Sequence, residues 1–122
     1  MIRFNPAREA TCRAVVGLLD RSSTGHCGIY TADASVITYL TLSNPAFTYI
    51  TDGTAVANTI YDATSFFDAT ASYFRMLDGD STMIWGGTVS GSHGAGDMKL
   101  DSIIMPKDTT VSISSAIYEI PA

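Results

Sequence analysis

Two periodicities divide the chain. From Pro6 to about Asp20, Thr11, Ala14, Val15, Leu18 and Leu19 fall on one stripe of a 100° wheel, with Glu9, Arg13, Gly17 and Asp20 opposite. Asn5 suits an N-cap, and Pro6 suits the first helical position, where a missing amide proton costs nothing and the fixed φ is already helical. The pattern predicts an amphipathic helix over 5–20 that lies on an apolar surface. Arg21-Ser22-Ser23-Thr24-Gly25 stops it, because small polar residues and glycine compete for turns.

From Cys27 onward the period becomes two. Cys27 to Thr31 reads as a short strand. Val36 to Leu42 reads as a second, with Val36, Thr38, Leu40 and Leu42 on one face and Ile37, Tyr39 and Thr41 on the other, so both faces are partly apolar. Asn44-Pro45 breaks it, Ala46 to Ile50 resumes extended structure, Asp52-Gly53 turns the chain, and Ala55 to Tyr61 follows as a strand. The clearest hairpin pairs Ala69–Leu77 with Thr82–Val89 across the turn Asp78-Gly79-Asp80-Ser81, with Gly86-Gly87 marking a bulge or a close backbone approach. Ser90 to Gly96 is a Gly/Ser loop and Met98 to Met105 a shorter strand. Pro106-Lys107-Asp108 is a type I turn, and Thr110 to Ile120 a long strand with Val111, Ile113, Ser115 and Ile117 in phase. The expected fold is mainly β in the α+β class: an N-terminal amphipathic helix over 5–20, then an antiparallel β-sandwich over 27–122, in a single domain over 1–122.

Composition supports this reading. Ser and Thr supply 13 and 15 of the 122 residues, while Glu appears only at 9 and 119 and Lys only at 99 and 107, so the long side chains that favour exposed helix are scarce. The net charge of −5 argues against nucleic acid as a partner, since phosphate binding needs clustered Lys and Arg. Residues 1–21 hold four arginines against two carboxylates, a net of +2, which leaves −7 for the rest. Arg3, Arg8 and Arg13 thus form a candidate contact face for an acidic partner, another copy of the chain included; the alternative is a solvated helix face. No stretch approaches the roughly 20 apolar residues of a membrane helix, and Met1 to Pro6 lacks a secretory signal pattern, so a soluble protein made in the cytoplasm is expected. Cys12 and Cys27 either pair or stay free and buried, and a reducing compartment favours free thiols.

The search for reactive constellations yields no catalytic, cofactor or metal site. His26 and His93 are the imidazole bases present, and Gly91-Ser92-His93-Gly94 lacks the elbow that exposes a nucleophilic serine. Cys12, His26, Cys27 and His93 match zinc in number but not in spacing. Asp78, Asp80 and Thr82 begin like a calcium loop, but no glycine holds the sixth place and Val89 stands where a bidentate Glu is needed. Tyr49, Tyr61, Tyr73, Phe74, Trp85 and Tyr118 suit a core or a sugar-stacking platform, with Tyr73 and Trp85 expected to pack across paired strands.

The order of segments carries a resemblance. The helix over 5–20 is followed by Gly28-Ile29-Tyr30-Thr31, by Leu40-Thr41-Leu42-Ser43-Asn44-Pro45-Ala46-Phe47, and by the run from Asp68 to Asp78. That run ends in Phe74-Arg75 before an Asp/Gly turn; Gly87-Thr88-Val89-Ser90, Val111 to Ser115 and Pro121-Ala122 complete the series. This resembles small tailed-bacteriophage virion structural proteins of the head-decoration or minor structural type. The chain departs from that group where a longer proline-containing insert is usual, having only Ala32-Asp33-Ala34-Ser35, which removes loop-borne recognition from what the likeness supports. The resemblance implies a noncatalytic virion component that takes no cofactor and is partnered by major capsid, neck or tail protein and by further copies of itself. Neither nucleic acid nor membrane is an expected partner. The alternative is a carbohydrate-binding tail or host-contact module using the tyrosines and the 90–96 loop.

Overall fold

The computed structural model describes residues 5–21, 23–51, 53–91, 94, 96 and 98–119. Helix α1 spans Asn5–Gly17 and tightens into a 3₁₀ turn over Leu18–Asp20, close to the expected segment. Its buried stripe is Cys12, Val16 and Leu19, whereas Ala14 and Leu18 are exposed. The expected stripe is therefore rotated. Spacings of four and three residues still define it, but the sheet beneath accepts the small apolar thiol of Cys12, which the wheel omits. The 3₁₀ turn is fastened by Asp20, whose carboxylate accepts the Ala46 N–H at 3.0 Å.

Twelve strands follow among the described residues: β1 (His26–Tyr30), β2 (Val36–Thr41), β3 (Phe47–Thr51), β4 (Thr54–Ala57), β5 (Ala63–Thr64), β6 (Ala69–Thr70), β7 (Tyr73–Leu77), β8 (Met83–Gly91), β9 (Met98–Leu100), β10 (Ile104–Met105), β11 (Thr110–Val111) and β12 (Ile113–Glu119). Eight of them form one curled sheet in the order β2-β1-β7-β8-β9-β12-β4-β3, and β6–β10 and β5–β11 form two short ribbons. The molecule is mainly β with one N-terminal helix, an α+β fold with a sandwich-like arrangement. α1 packs on β3, β4 and β12 and closes that end of the core.

The antiparallel expectation has one exception. β8 and β9 run parallel, with Val89 beside Met98 and Gly91 beside Leu100. Only residues 92–97 connect them, far fewer than the dozen or so that a parallel crossover normally needs. Ser90 makes the short return workable: its hydroxyl accepts the Gly96 N–H at 3.0 Å, while Lys99 donates to the Gly94 and Gly96 carbonyls at 2.8 and 3.3 Å. Ser92, His93 and Ala95 of the expected loop lie outside the described residues, as do Asp97 after it and Ser22 and Asp52 of two expected turns.

Three expected long strands are each split. Ala69–Leu77 breaks after Thr70, where Ala71 and Ser72 donate their amides to the carbonyls of Ile103 and Tyr30 at 2.8 Å, so β6 joins β10 and β7 joins β1 and β8. Met98–Met105 divides into β9 and β10, and Thr110–Ile120 into β11 and β12. Strands that change partner turn the corner of a sandwich. In β12 the register shifts between Ile113 and Ser115, which buries Ala116 and leaves Ile117 exposed, so the expected in-phase series ends at the bulge. The strand expected over 55–61 ends at Ala57. The hairpin bulge sits at Ile84, between the pairs Leu77–Met83 and Met76–Trp85, rather than at Gly86-Gly87. Asp108 has φ 63°, which excludes the expected type I turn.

Ile29, Leu40, Leu42, Met76, Met98 and Leu100 build the core with the α1 stripe, and each such side chain contributes roughly 1.5–3 kcal/mol by leaving water. Both thiols are free and buried. Cys27 Sγ lies 4.0 Å from Met98 Sδ, and burial pushes its pKa far up. Of the two faces of β2, Thr38, Leu40 and Ile37 are buried and Tyr39 is exposed.

Candidate functional site

The best-formed surface feature lies on the outer face of β2-β1-β7-β8. Strand alternation brings Tyr39, Gly28, Arg75 and Gly86 into one cross-strand row, and Tyr30, Tyr73 and Thr88 into the next. Because Gly28 has no side chain, the Tyr30 ring folds back over it: a Cβ there would lie 2.7 Å from the Tyr30 hydroxyl. The same ring stacks on Tyr73 with centroids 5.1 Å apart and planes 8° from parallel. The Arg75 guanidinium then sits 5.2 Å from the Tyr30 ring and 5.3 Å from the Tyr73 ring. Planar, weakly hydrated guanidinium groups favour such aromatic seats.

At Gly86 the row is empty. A Cβ would lie 2.6 Å from the Phe74 carbonyl oxygen, so the close approach of β7 to β8 requires glycine there, as the sequence suggested for this pair. Beside it lies a groove of about 440 Å³ bordered by Tyr73, Arg75, Met83, Ile84 and Thr88. Met83 is 57% exposed and Tyr30 only 8%. Burial raises the pKa of the Tyr30 hydroxyl, as does the neighbouring Tyr39, and Arg75 opposes the rise. Among the described residues no carboxylate pairs with Arg75.

Tyr73 and Trp85 do stand on paired strands, but on opposite faces. Trp85 turns inward, against Phe47 at 5.4 Å and Tyr118 at 4.6 Å, so the expected packing between Tyr73 and Trp85 is replaced by two separate aromatic groups. Elsewhere on the exterior, Val56 and Ile117 are paired across β4 and β12 and both are exposed, and Tyr39 meets Phe66 edge-on at 6.5 Å.

Of the expected contact residues, Arg3 lies outside the described residues. Arg8 is half-buried on α1, and five helical positions separate it from Arg13, which places the two about 140° apart around the axis. Arg13 donates to Glu9 at 2.8 Å and lies 4.8 Å from the Tyr49 ring, so part of its charge is used within the chain. Arg21 pairs with Asp78 at 2.9 Å. Asp78 is fully buried; Oδ1 accepts the amides of Asp80 and Thr82, both at 2.9 Å, and Oδ2 takes the Arg21 guanidinium. This carboxylate is committed to the hairpin turn and to its tie with the segment after α1. Among the described residues no three His, Cys, Asp or Glu side chains gather. His26 is half-buried and its neighbour Cys27 fully buried, while His93 lies outside the described residues. Among the described residues no helix is long and apolar enough to cross a membrane.

Sequence reasoning placed Arg75 on a strand but assigned it no role. Its alternation with Tyr73 was visible; the contribution of Tyr30 was not, because it depends on β1 pairing with β7 across the intervening chain. Comparison with protein-family models, curated proteins and solved structures finds no match to the chain.

Proposed function

We propose that the chain is a noncatalytic structural subunit of a bacteriophage virion, a head decoration or minor structural component. It works through repeated contacts with major capsid, neck or tail protein and with further copies of itself. The observation that supports a contact role is the exposed apolar pair Val56 and Ile117, side by side across β4 and β12. Many modest contacts of this kind add up when the same interface repeats over a particle. The virion setting rests on the sequence resemblance.

Mass spectrometry and cross-linking of purified particles test the reading. The expected result is the intact chain at a fixed ratio to the major capsid protein, with cross-links from the Val56–Ile117 face; absence of the chain from particles rejects it. A second reading, a carbohydrate-binding tail or host-contact module, draws on the exposed rings of Tyr39 and Tyr61. Against it, the Tyr30 ring is covered and Trp85 faces the core. Glycan-array binding that disappears in Tyr39→Ala would favour this second reading.

A further inference from the structure

We propose that the groove beside Gly86 is a docking notch for an acidic side chain, Asp or Glu, flanked by an apolar residue on a partner polypeptide, with Arg75 as the residue that reads the carboxylate. This deepens the contact-module reading and rests on it.

Four observations converge. Arg75 lies against the side of the Tyr30–Tyr73 stack, 5.2 and 5.3 Å from the two ring centroids, which restricts the positions its flat fork can take before any ligand arrives. It has no carboxylate partner among the described residues, in a chain where Arg13 and Arg21 both have one. The groove that Arg75 lines has a volume of about 440 Å³, room for one or two side chains and too little for a folded element. Met83 and Ile84 border that space, and an exposed, flexible thioether suits an apolar side chain next to the acid. A guanidinium binds a carboxylate through two parallel N–H···O bonds, and an aromatic seat reduces the side-chain entropy lost when they form. The partner's charge follows from the same chemistry, because a carboxylate takes both arms of the fork in charge-assisted bonds, whereas a neutral oxygen makes weaker ones and a cation makes none. A carboxylated sugar shares the anion, but it needs an open ring face to stack on, and the Tyr30 face is already taken by Gly28 and Tyr73.

The test is an NMR titration of the ¹⁵N-labelled full chain, following the Arg75 side-chain Nε–H and the amides of Gly86 and Thr88. The probes are N-acetyl-Leu-Glu-amide, N-acetyl-Leu-Gln-amide and sialic acid. The expected result is saturable shifts at these three groups with the Glu peptide, at least about fivefold weaker binding of the Gln peptide, and loss of binding in Arg75→Gln. Arg75→Lys keeps the charge but not the fork and is expected to bind at least threefold more weakly. Should Arg75→Gln fold poorly, Thr88→Glu replaces it: this exposed position lies beside the notch, and a carboxylate there is expected to occupy Arg75 and block the peptide. Equal binding of the Glu and Gln peptides, no shift at the notch, or binding of sialic acid in preference to the Glu peptide each overturns the proposal. These outcomes leave the detection of the chain in particles untouched, so failure of the notch and failure of the contact-module reading are separable.

Discussion

Asp78 shows how much one side chain organises here. Its carboxylate accepts two turn amides and the Arg21 guanidinium, and these bonds hold its pKa below the usual carboxylate range, the Thr82 amide contributing most. Asp33 is lowered in the same direction by Thr31 and Ser35, while burial raises Asp20. A carboxyl with a depressed folded pKa adds stability above its unfolded pKa, about 3.9, and that stability is lost as pH falls through the folded value. Asp20 has the opposite sign and favours folding at lower pH. The net expectation is acid unfolding below about pH 4, with the midpoint in Asp78→Asn less sensitive to pH over that window, measured by circular dichroism. Asp78→Ala is expected to destabilise more than Arg21→Ala, since it strands two amides while the freed arginine returns to water. Both thiols are expected to resist a thiol reagent until denaturant is added, and Cys27→Ser to cost about 1–3 kcal/mol, because a buried hydroxyl finds no ready partner beside Met98.

At the scale of elements, α1 and its 3₁₀ turn are tied to the sheet by the buried Cys12, Val16 and Leu19, by Arg13 on Tyr49 and by the Asp20–Ala46 bond. Leu19→Ala is expected to cost about 2–5 kcal/mol in urea unfolding, and Leu18→Ala far less, although a helical wheel treats the two alike. Gly28→Ala places a methyl against the Tyr30 ring; the expected signature is loss of near-ultraviolet tyrosine dichroism with a cost of about 1–3 kcal/mol. Most elements were legible from the sequence because their signals are local: Asn5-Pro6 opens the helix, Asp78-Gly79 closes a hairpin, and alternation marks the strands. The breaks at Ala71, Asp101 and Ser112 were not legible. Alternation continues across them, and what changes is the partner strand, which no local pattern records.

For the whole molecule, the informative feature is which apolar residues remain outside. Val56→Thr with Ile117→Thr is expected to change unfolding free energy by no more than about 0.5 kcal/mol each, the usual range for surface sites, while lowering the number of copies per particle. A large stability loss instead would show that these residues belong to the core of the single chain. Charge along the sequence offered Arg3, Arg8 and Arg13 as a contact face or a solvated helix face. The fold pairs Arg13 with Glu9 and Arg21 with Asp78 and, among the described residues, gives Arg75 no carboxylate, because pairing depends on distance and not on the sum of charges.

By itself the sequence determined a short amphipathic helix, a series of β-branched strands and the Asp78-Gly79 hairpin turn, since these follow from side-chain period and backbone preference within a few residues. Tertiary structure decided the order of strands in the sheet, the parallel β8–β9 pair, the bulge that turns Ile117 outward and the meeting of Tyr30, Tyr73 and Arg75. Each of these depends on which distant segment supplies a hydrogen-bonding neighbour, and that choice is made by closing one shared core.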